Sequence, residues 1–297
     1  MIDGVTMMTR SPKTLEHLLS CNHIVFDDHI NKDGLIVKQK SDAGYNGLDI
    51  TIYPLPKESV NASNLIIFRG SIHSFYNAIT KDNRQNFDLF RLSDCNRALD
   101  LLNEHLGIEP IITEIHALEY GFNIPVKIDA DLYASYFIAY KNRAFEKLKA
   151  SSGVLGDCFG CYFNEFEIKA YNKSATYGLA NNIIRLEKKL TKMRNVFNSP
   201  ITLLDVASDE LWHKLYADLK SSLNDVILSD KVNTRQLTRP QREVFFKGSN
   251  PRLWTKLDRD RRCRLKKSFN GLIDKFGQYR TREYLESEID NLALSMI

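Results

Sequence analysis

Between Asn164 and Lys173 polar and apolar residues change places at nearly every step, a pattern few backbones accommodate. Phe166, Ile168 and Ala170 fall on one side and Glu165, Glu167, Lys169, Tyr171 and Lys173 on the other, the two-residue period of a half-buried strand. Ile183 to Lys189 alternates again, with Arg185 and Glu187 on one face and Ile184 and Leu186 on the other. The link from Ser174 to Ala180 contains Gly178 and is short enough to return the chain. Side by side, the two strands would gather a tyrosine, lysines and carboxylates on one surface.

The segments before this pair read as a mixture of strands and helices. Leu48–Tyr53 and Leu65–Phe68 are strand-like, with Pro54, Pro56 and Asn61 to Asn64 as loop between them. A turn at Arg69-Gly70-Ser71 leads into Ile72–Ile79. Cys95 to Leu106 carries Leu99, Leu102 and Leu106 at helical spacing, behind a Ser93-Asp94 cap and ahead of Gly107. Ile111 to Ile124 predicts a long strand, with Ile112, Leu118, Tyr120, Phe122 and Ile124 on one face and Thr113, Glu119, Gly121 and Asn123 on the other. Glu119 interrupts an apolar strand, so its charge needs a cation, a metal or water. Asp129 to Ala150 predicts a helix with Leu132, Tyr136, Ala139 and Tyr140 on its apolar side, and Gly153, Gly156 and Gly160 form a loop before the central strand.

After Asp205 the pattern turns helical, with Leu211, Leu215 and Leu219 evenly spaced, a helix over Arg264–Phe276 and an acidic one over Arg282–Leu294. The order predicts an α+β fold: an antiparallel-sheet catalytic domain with flanking helices over residues 1–200, then a mainly helical, basic region over 201–297. No apolar run approaches the roughly 18 residues of a membrane span, and the start lacks a signal-peptide pattern, so a cytosolic protein is expected. Five scattered cysteines argue against a disulfide framework. Cys158 and Cys161 have metal-like spacing but lack the second ligand pair that zinc requires.

The net charge of +4 conceals an asymmetry. From Arg235 to Lys267 there are twelve Lys or Arg against three Asp or Glu, so the rest of the chain is mildly acidic. Such local basicity predicts a polyanion contact. Arg239, Arg242, Lys247, Arg252, Arg259, Arg261, Arg262, Arg264, Lys266 and Lys267 would neutralise backbone phosphates, and Trp254, Phe245 and Phe246 could stack on unpaired bases.

On the central face, a lysine beside a tyrosine can stabilise a phenolate and a phosphate charge, as Lys173 stands to Tyr171. Carboxylates nearby could hold Mg²⁺ or Mn²⁺ against substrate phosphates, a role for Glu119, Glu187 and Glu167. The chemistry this suggests is attack of Tyr171 on a DNA phosphodiester. The same pattern is also compatible with a solvated strand face in which Tyr171 packs across strands.

Three segments, Ile115 to Ile124, Ile168-Lys169-Ala170-Tyr171-Asn172-Lys173 and Ile184-Arg185-Leu186-Glu187-Lys188-Lys189-Leu190, resemble in order and spacing the replication initiators of filamentous phages and related plasmids. The start, Met1-Ile2-Asp3, and Arg69-Gly70-Ser71 to Asn77 share that resemblance, which covers roughly residues 1 to 195. It implies rolling-circle replication in a bacterial host's cytoplasm: nicking of one origin strand, a 5′-phosphotyrosine on the protein, a 3′-hydroxyl primer, and later rejoining. It implies Tyr171 as nucleophile, Lys173 as its companion, and Glu119 and Glu187 at the family's acidic positions, with Arg185 beside the scissile phosphate or bracing Glu187. Partners implied are origin DNA, a helicase and a polymerase, with a homodimer left open. No His-hydrophobe-His pair occurs among the seven histidines, so any ion would rest on carboxylates. Two alternatives stand beside this reading: a non-catalytic sequence-specific DNA-binding regulator, and a metal-dependent nuclease using activated water.

Overall fold

A computed structural model of the protein describes residues 1–30, 36–54, 64–148 and 156–297. In chain order its elements begin β1 (Ile2–Thr9), α1 (Pro12–Ser20), β2 (Asp27–Ile30), β3 (Ile36–Tyr45), β4 (Leu48–Tyr53), β5 (Leu65–Ser71), α2 (Ile72–Thr80) and α3 (Leu92–Leu106). They continue through β6 (Glu114–Pro125), α4 (Ala130–Ala134), β7 (Phe137–Tyr140), β8 (Arg143–Ala144), β9 (Glu146–Lys147), β10 (Cys158–Tyr162), β11 (Phe166–Asn172), α5 (Lys173–Tyr177) and β12 (Ile183–Leu190). The last are α6 (Asp209–Asp225), β13 (Val226–Leu228), α7 (Arg239–Gly248), α8 (Pro251–Trp254), α9 (Arg259–Phe276) and α10 (Thr281–Met296). This is the expected mixture of antiparallel sheet and helix with a helical C-terminal region. Pro56 and Asn61 to Ser63 of one expected loop, and Gly153 of the other, lie outside the described residues, whereas Gly160, expected in that second loop, sits in β10.

Two compact units divide the chain, and neither is contiguous. The first comprises residues 1–120, 189–215 and 296–297, the second 121–188 and 216–295, so the contacts do not divide at residue 200.

In the first unit the strand order is β2-β3-β4-β5-β1-β6. β1 lies antiparallel to β5, with Gly4 opposite Ser71 and Thr9 opposite Ile66. Its pairing with β6 slips twice, between Ile2 and Val5 and between Thr6 and Met7. Because each one-residue slip exchanges the faces of a strand, Ile115 and Leu118 are both buried although three residues apart. The expected strand therefore starts later than Ile111, and Ile112 is exposed at 51% rather than sharing the buried face. Downstream the expected alternation holds: Leu118, Tyr120, Phe122 and Ile124 are all buried. Helix α3 ends as expected on Gly107, whose φ of 63° suits glycine, and its apolar stripe of Leu99, Leu102 and Leu106 is buried.

In the second unit the order is β6-β12-β11-β10-β9, and a separate three-stranded sheet runs β13-β7-β8. The expected helix over Asp129–Ala150 is a correction. Among the described residues of that span only Ala130–Ala134 is helical, and β7, β8 and β9 follow. Every residue of Phe137–Tyr140 is buried, so the helical stripe that Tyr136, Ala139 and Tyr140 offer in the sequence is matched equally by a short strand buried on both faces. Lys141 then turns the chain at a φ of 53° into β8. Residues from β7 and β13, including Ile138, Ala139 and Ile227, form one core with Leu237, Trp254, Phe269, Leu272 and Ile273 from the C-terminal helical region.

Candidate active site

β11 carries the face expected of it. Glu167, Lys169 and Tyr171 are half-buried while Ile168, Ala170 and Asn172 are buried. In the ladder with β10, Tyr171 stands opposite Cys158, Lys169 opposite Gly160 and Glu167 opposite Tyr162. Tyr171 is the penultimate strand residue because the chain leaves the sheet immediately after it. The Asn172 carboxamide oxygen accepts from the Ala175 backbone N–H at 3.0 Å, starting α5. Gly178 ends that helix at a φ of 62°, and the Ser174 hydroxyl accepts from the Ile183 N–H at 2.6 Å, pinning the entry into β12. The expected return of the chain through this short link is observed.

On β12, Arg185 and Glu187 share a face and are each 3% exposed. Arg185 Nε donates to Glu187 Oε2 at 2.7 Å and Arg185 Nη1 to Asn123 Oδ1 at 3.0 Å. The Tyr171 hydroxyl donates to that same Glu187 Oε2 at 3.2 Å. Lys169 Nζ lies 2.9 Å from Glu167 Oε1 and 3.7 Å from Glu187 Oε1. The phenol, two carboxylates and two cations thus form one network, with Glu187 fixed by charge-assisted bonds.

β12 reaches this position because β6 has no side chain in its path. A Cβ at Gly121 would come within 2.1 Å of the Leu186 carbonyl oxygen and 2.7 Å of Glu187 Cα. Only glycine permits that approach.

Lys173 is not on the strand face with Tyr171, as the alternation predicted, because β11 stops at Asn172 and Lys173 opens α5. It is nevertheless close. Its ammonium is buried, 5.7 Å from the centre of the Tyr171 ring and 5.3 Å from that of Tyr177, within cation–π range of both. Cys158 faces the same ladder position as Tyr171, but burial, followed by the nearby Glu187 charge, pushes its thiol up to about 11. At neutral pH it is a thiol and does not compete as a nucleophile.

The carboxylates expected to hold a divalent ion are otherwise engaged. Glu187 Oε2 takes Arg185 and Tyr171, and Glu167 takes Lys169. Among the described residues no three His, Cys, Asp or Glu side chains converge as a cation site. Glu119 belongs to the first unit, half-buried beside β1, where a Cβ at Gly4 would meet its own Cβ at 3.2 Å. As arranged, with Glu187 Oε2 taken by Arg185 and Tyr171 and Glu167 by Lys169, Glu187 and Glu167 do not fit a metal.

No protein-family model matches the sequence, and no curated protein matches it. One solved structure, of a rolling circle replication initiator protein from Geobacillus stearothermophilus, is similar at a TM-score of 0.46 and 9% identity, over 98% of this chain and 96% of that one. At that distance it carries no residue role across.

The basic window splits by burial. Arg239, Arg242, Lys247, Arg252, Arg259, Arg261, Arg264 and Lys267 are exposed, and Arg262 and Lys266 half-buried. Trp254, expected to stack on bases, is 1% exposed and donates its indole N–H to the Gly248 carbonyl at 2.8 Å, so it is core. Phe245 packs against that core too, whereas Phe246 is 62% exposed. Several of the cations are locally paired: Lys247 to Glu243 at 2.6 Å, Arg261 to Asp258 at 3.2 Å, and Arg242 Nε to the Leu237 carbonyl at 3.1 Å.

Three contributors were not singled out from sequence as site residues: Asn123, Lys169 and Tyr177. The first two were legible as members of the polar faces of their strands. Tyr177 carried no signal, since only the helical turn of α5 brings it over Lys173.

No helix among the described residues is long and apolar enough to cross a membrane.

Proposed function

We propose that the protein is a DNA strand transferase of the replication-initiator kind, with Tyr171 as its nucleophile. The observation that carries this is the Tyr171 hydroxyl donating to Glu187 Oε2, an oxygen already held by Arg185. A phenol is a weak nucleophile until its proton is drawn off, and an oriented carboxylate is the group to draw it. In the proposed step the Tyr171 oxygen bonds to the phosphorus of a DNA phosphodiester and the bond from phosphorus to the 3′ oxygen breaks. The phenolic proton passes to Glu187, and the departing 3′ oxygen takes up a proton from water. The products are a 5′-phosphotyrosine and a 3′-hydroxyl able to prime synthesis. Rejoining is the same exchange in reverse, with a 3′-hydroxyl attacking the phosphotyrosine. Lys173, against the Tyr171 ring, favours the anionic phenol and the charge that grows on the phosphate. The exposed cations of α7 and α9 are proposed to hold the DNA.

The test uses end-labelled single-stranded oligonucleotides tiled across the DNA flanking the protein's own reading frame. They are incubated with protein and Mg²⁺ or Mn²⁺ and resolved on a denaturing gel. A covalent species that disappears with Tyr171→Phe is the expected result. Cleavage that leaves no adduct and survives Tyr171→Phe would replace this reading with the hydrolytic nuclease, and specific binding without cleavage would replace it with the regulator.

A further inference from the structure

A cleft of about 540 Å³ in the second unit is lined by side chains from the β7–β8 turn and the first half of α9. Four cations line it, Lys141, Arg259, Arg262 and Lys266, against one carboxylate, Asp225. Such an excess is self-repelling, and more so because buried Trp254 and Ile227 also line the cleft and keep water from screening part of it.

The cations are positioned rather than merely abundant. Lys141 sits at the turn at a φ of 53°, its ammonium 5.1 Å from the Tyr140 ring centre and 3.7 Å from Asp225. Lys266 Nζ donates to the Asn224 carbonyl at 3.0 Å and lies 3.6 Å from Asp225. Arg262 Nη1 donates to the Leu257 carbonyl, using one of its five N–H donors. The Arg259 side chain makes no hydrogen bond or ion pair among the described residues. On α9, Arg259, Arg262 and Lys266 follow i, i+3, i+7 spacing and share a face. At 1.5 Å per residue they form a stripe roughly 10 Å long. With one phosphate per roughly 3.4 Å of axis in each strand of a duplex, three to four successive phosphates match that length.

We infer that this cleft is a seat for the sugar-phosphate backbone of one nucleic-acid strand, held by Lys141, Arg259, Arg262 and Lys266. The inference rests on the reading of the protein as DNA-binding and narrows it. The turn lysine, outside the basic window, belongs to the seat, and Arg239, Lys247 and Arg252 do not. Because Trp254 lines the cleft from the core, the seat reads charge and spacing rather than bases.

The experiment measures binding of fluorescein-labelled oligothymidylate to the full-length chain by anisotropy over a series of salt concentrations. The double variant Lys141→Gln, Arg259→Gln should bind about tenfold more weakly, with the salt slope reduced by roughly 0.7 for each phosphate no longer neutralised. Lys275→Gln, on the same helix outside the cleft, should change neither, and a weakening as large as the double variant's would overturn the seat as mere net charge. Cys263 also lines the cleft and is exposed, so bound oligonucleotide should slow its reaction with a bulky maleimide, read by peptide mapping of the unmutated protein. Unchanged affinity and slope in a folded double variant, or unprotected Cys263, would overturn the proposal.

Oligothymidylate contains no origin and the assay needs no cleavage, so it can be run on Tyr171→Phe. An adduct formed normally without the seat would leave the nicking reading standing alone. Binding at the seat without an adduct would leave the seat standing alone, and a wild-type chain that binds no nucleic acid would remove both.

Discussion

Glu187 is a buried carboxylate whose charge is balanced by Arg185 and whose second donor is a phenol. These two relations separate stability from chemistry. Glu187→Gln keeps the shape but strands the Arg185 guanidinium, and breaking a buried pair from one side costs about 3–5 kcal/mol. It also removes the proton acceptor, which should slow adduct formation by roughly 10²-fold or more. Replacing Arg185 and Glu187 together with leucine should recover much of the thermal stability and none of the adduct. Activity returning with stability in the double variant would show that Glu187 matters only as a counter-charge. The thiols offer a second check at this scale. Burial pushes Cys95 and Cys161 up to about 12 and Cys158 up to about 11, while Cys263 is exposed. At mildly alkaline pH, iodoacetamide should modify Cys263 in the native protein and reach Cys95, Cys158 and Cys161 only after denaturation. Rapid native labelling of Cys158 would contradict the packing of the β10–β11 ladder. The residues of the network were legible in sequence because a two-residue period fixes which side chains share a face. What that period cannot report is the hydrogen-bond partner. Glu187 was therefore expected to face an ion, and the structure gives it Arg185 and Tyr171 instead.

Among the elements, β12 depends on the absence of a side chain on β6. Gly121→Ala would drive a methyl into the Leu186 carbonyl and the Glu187 backbone, neither of which can rotate away. A loss of about 1–3 kcal/mol is expected from overpacking. Adduct formation should fall beyond what stability explains, because the displaced residue is Glu187 itself. A Gly121→Ala protein with native melting temperature and full adduct yield would refute the close approach. Helix α10 depends on a single buried acid: Asp230, 3% exposed, accepts from the N–H groups of Tyr279 and Thr281 and from the Thr281 hydroxyl at 2.9–3.0 Å. Asp230→Ala leaves those donors unsatisfied and should cost about 1–3 kcal/mol in denaturant titration. Strands β6, β11 and β12 and helix α3 were readable from their periods, whereas β1, which also alternates, was not. The stretch from Phe137 to Tyr140 was not, because Tyr136, Ala139 and Tyr140 satisfy a helical stripe on paper. In the fold all of Phe137–Tyr140 is buried, with β13 paired alongside. The slips between β1 and β6 were hidden for a related reason, since register belongs to the pair of strands and not to either sequence.

For the whole molecule, the composition change near residue 200 suggested a sheet domain followed by a helical appendage, and the packing is organised otherwise. Ile138 and Ala139 of β7 share their core with Trp254, Phe269, Leu272 and Ile273, more than a hundred residues later. Lys188 donates to Asp218 at 2.6 Å and to Ser222 at 3.1 Å, and β7 pairs with β13. Composition is a local property, whereas these contacts close long loops, so nothing in a sequence window could announce them. The consequence concerns truncation. A chain ending at residue 200 retains β7 and Lys188 but loses Asp218, β13, α7, α8 and α9, leaving an apolar strand uncovered and a buried lysine unpaired. Such a fragment should be insoluble or molten, with poor amide dispersion in its NMR spectrum and no adduct-forming activity, even though it contains Tyr171, Arg185 and Glu187. Point neutralisation of the exposed Arg259, which lines the cleft on α9, should by contrast leave the fold intact and change only DNA affinity and its salt dependence. A 1–200 fragment that unfolds cooperatively and still forms the adduct would show that the helical part is an appendage after all.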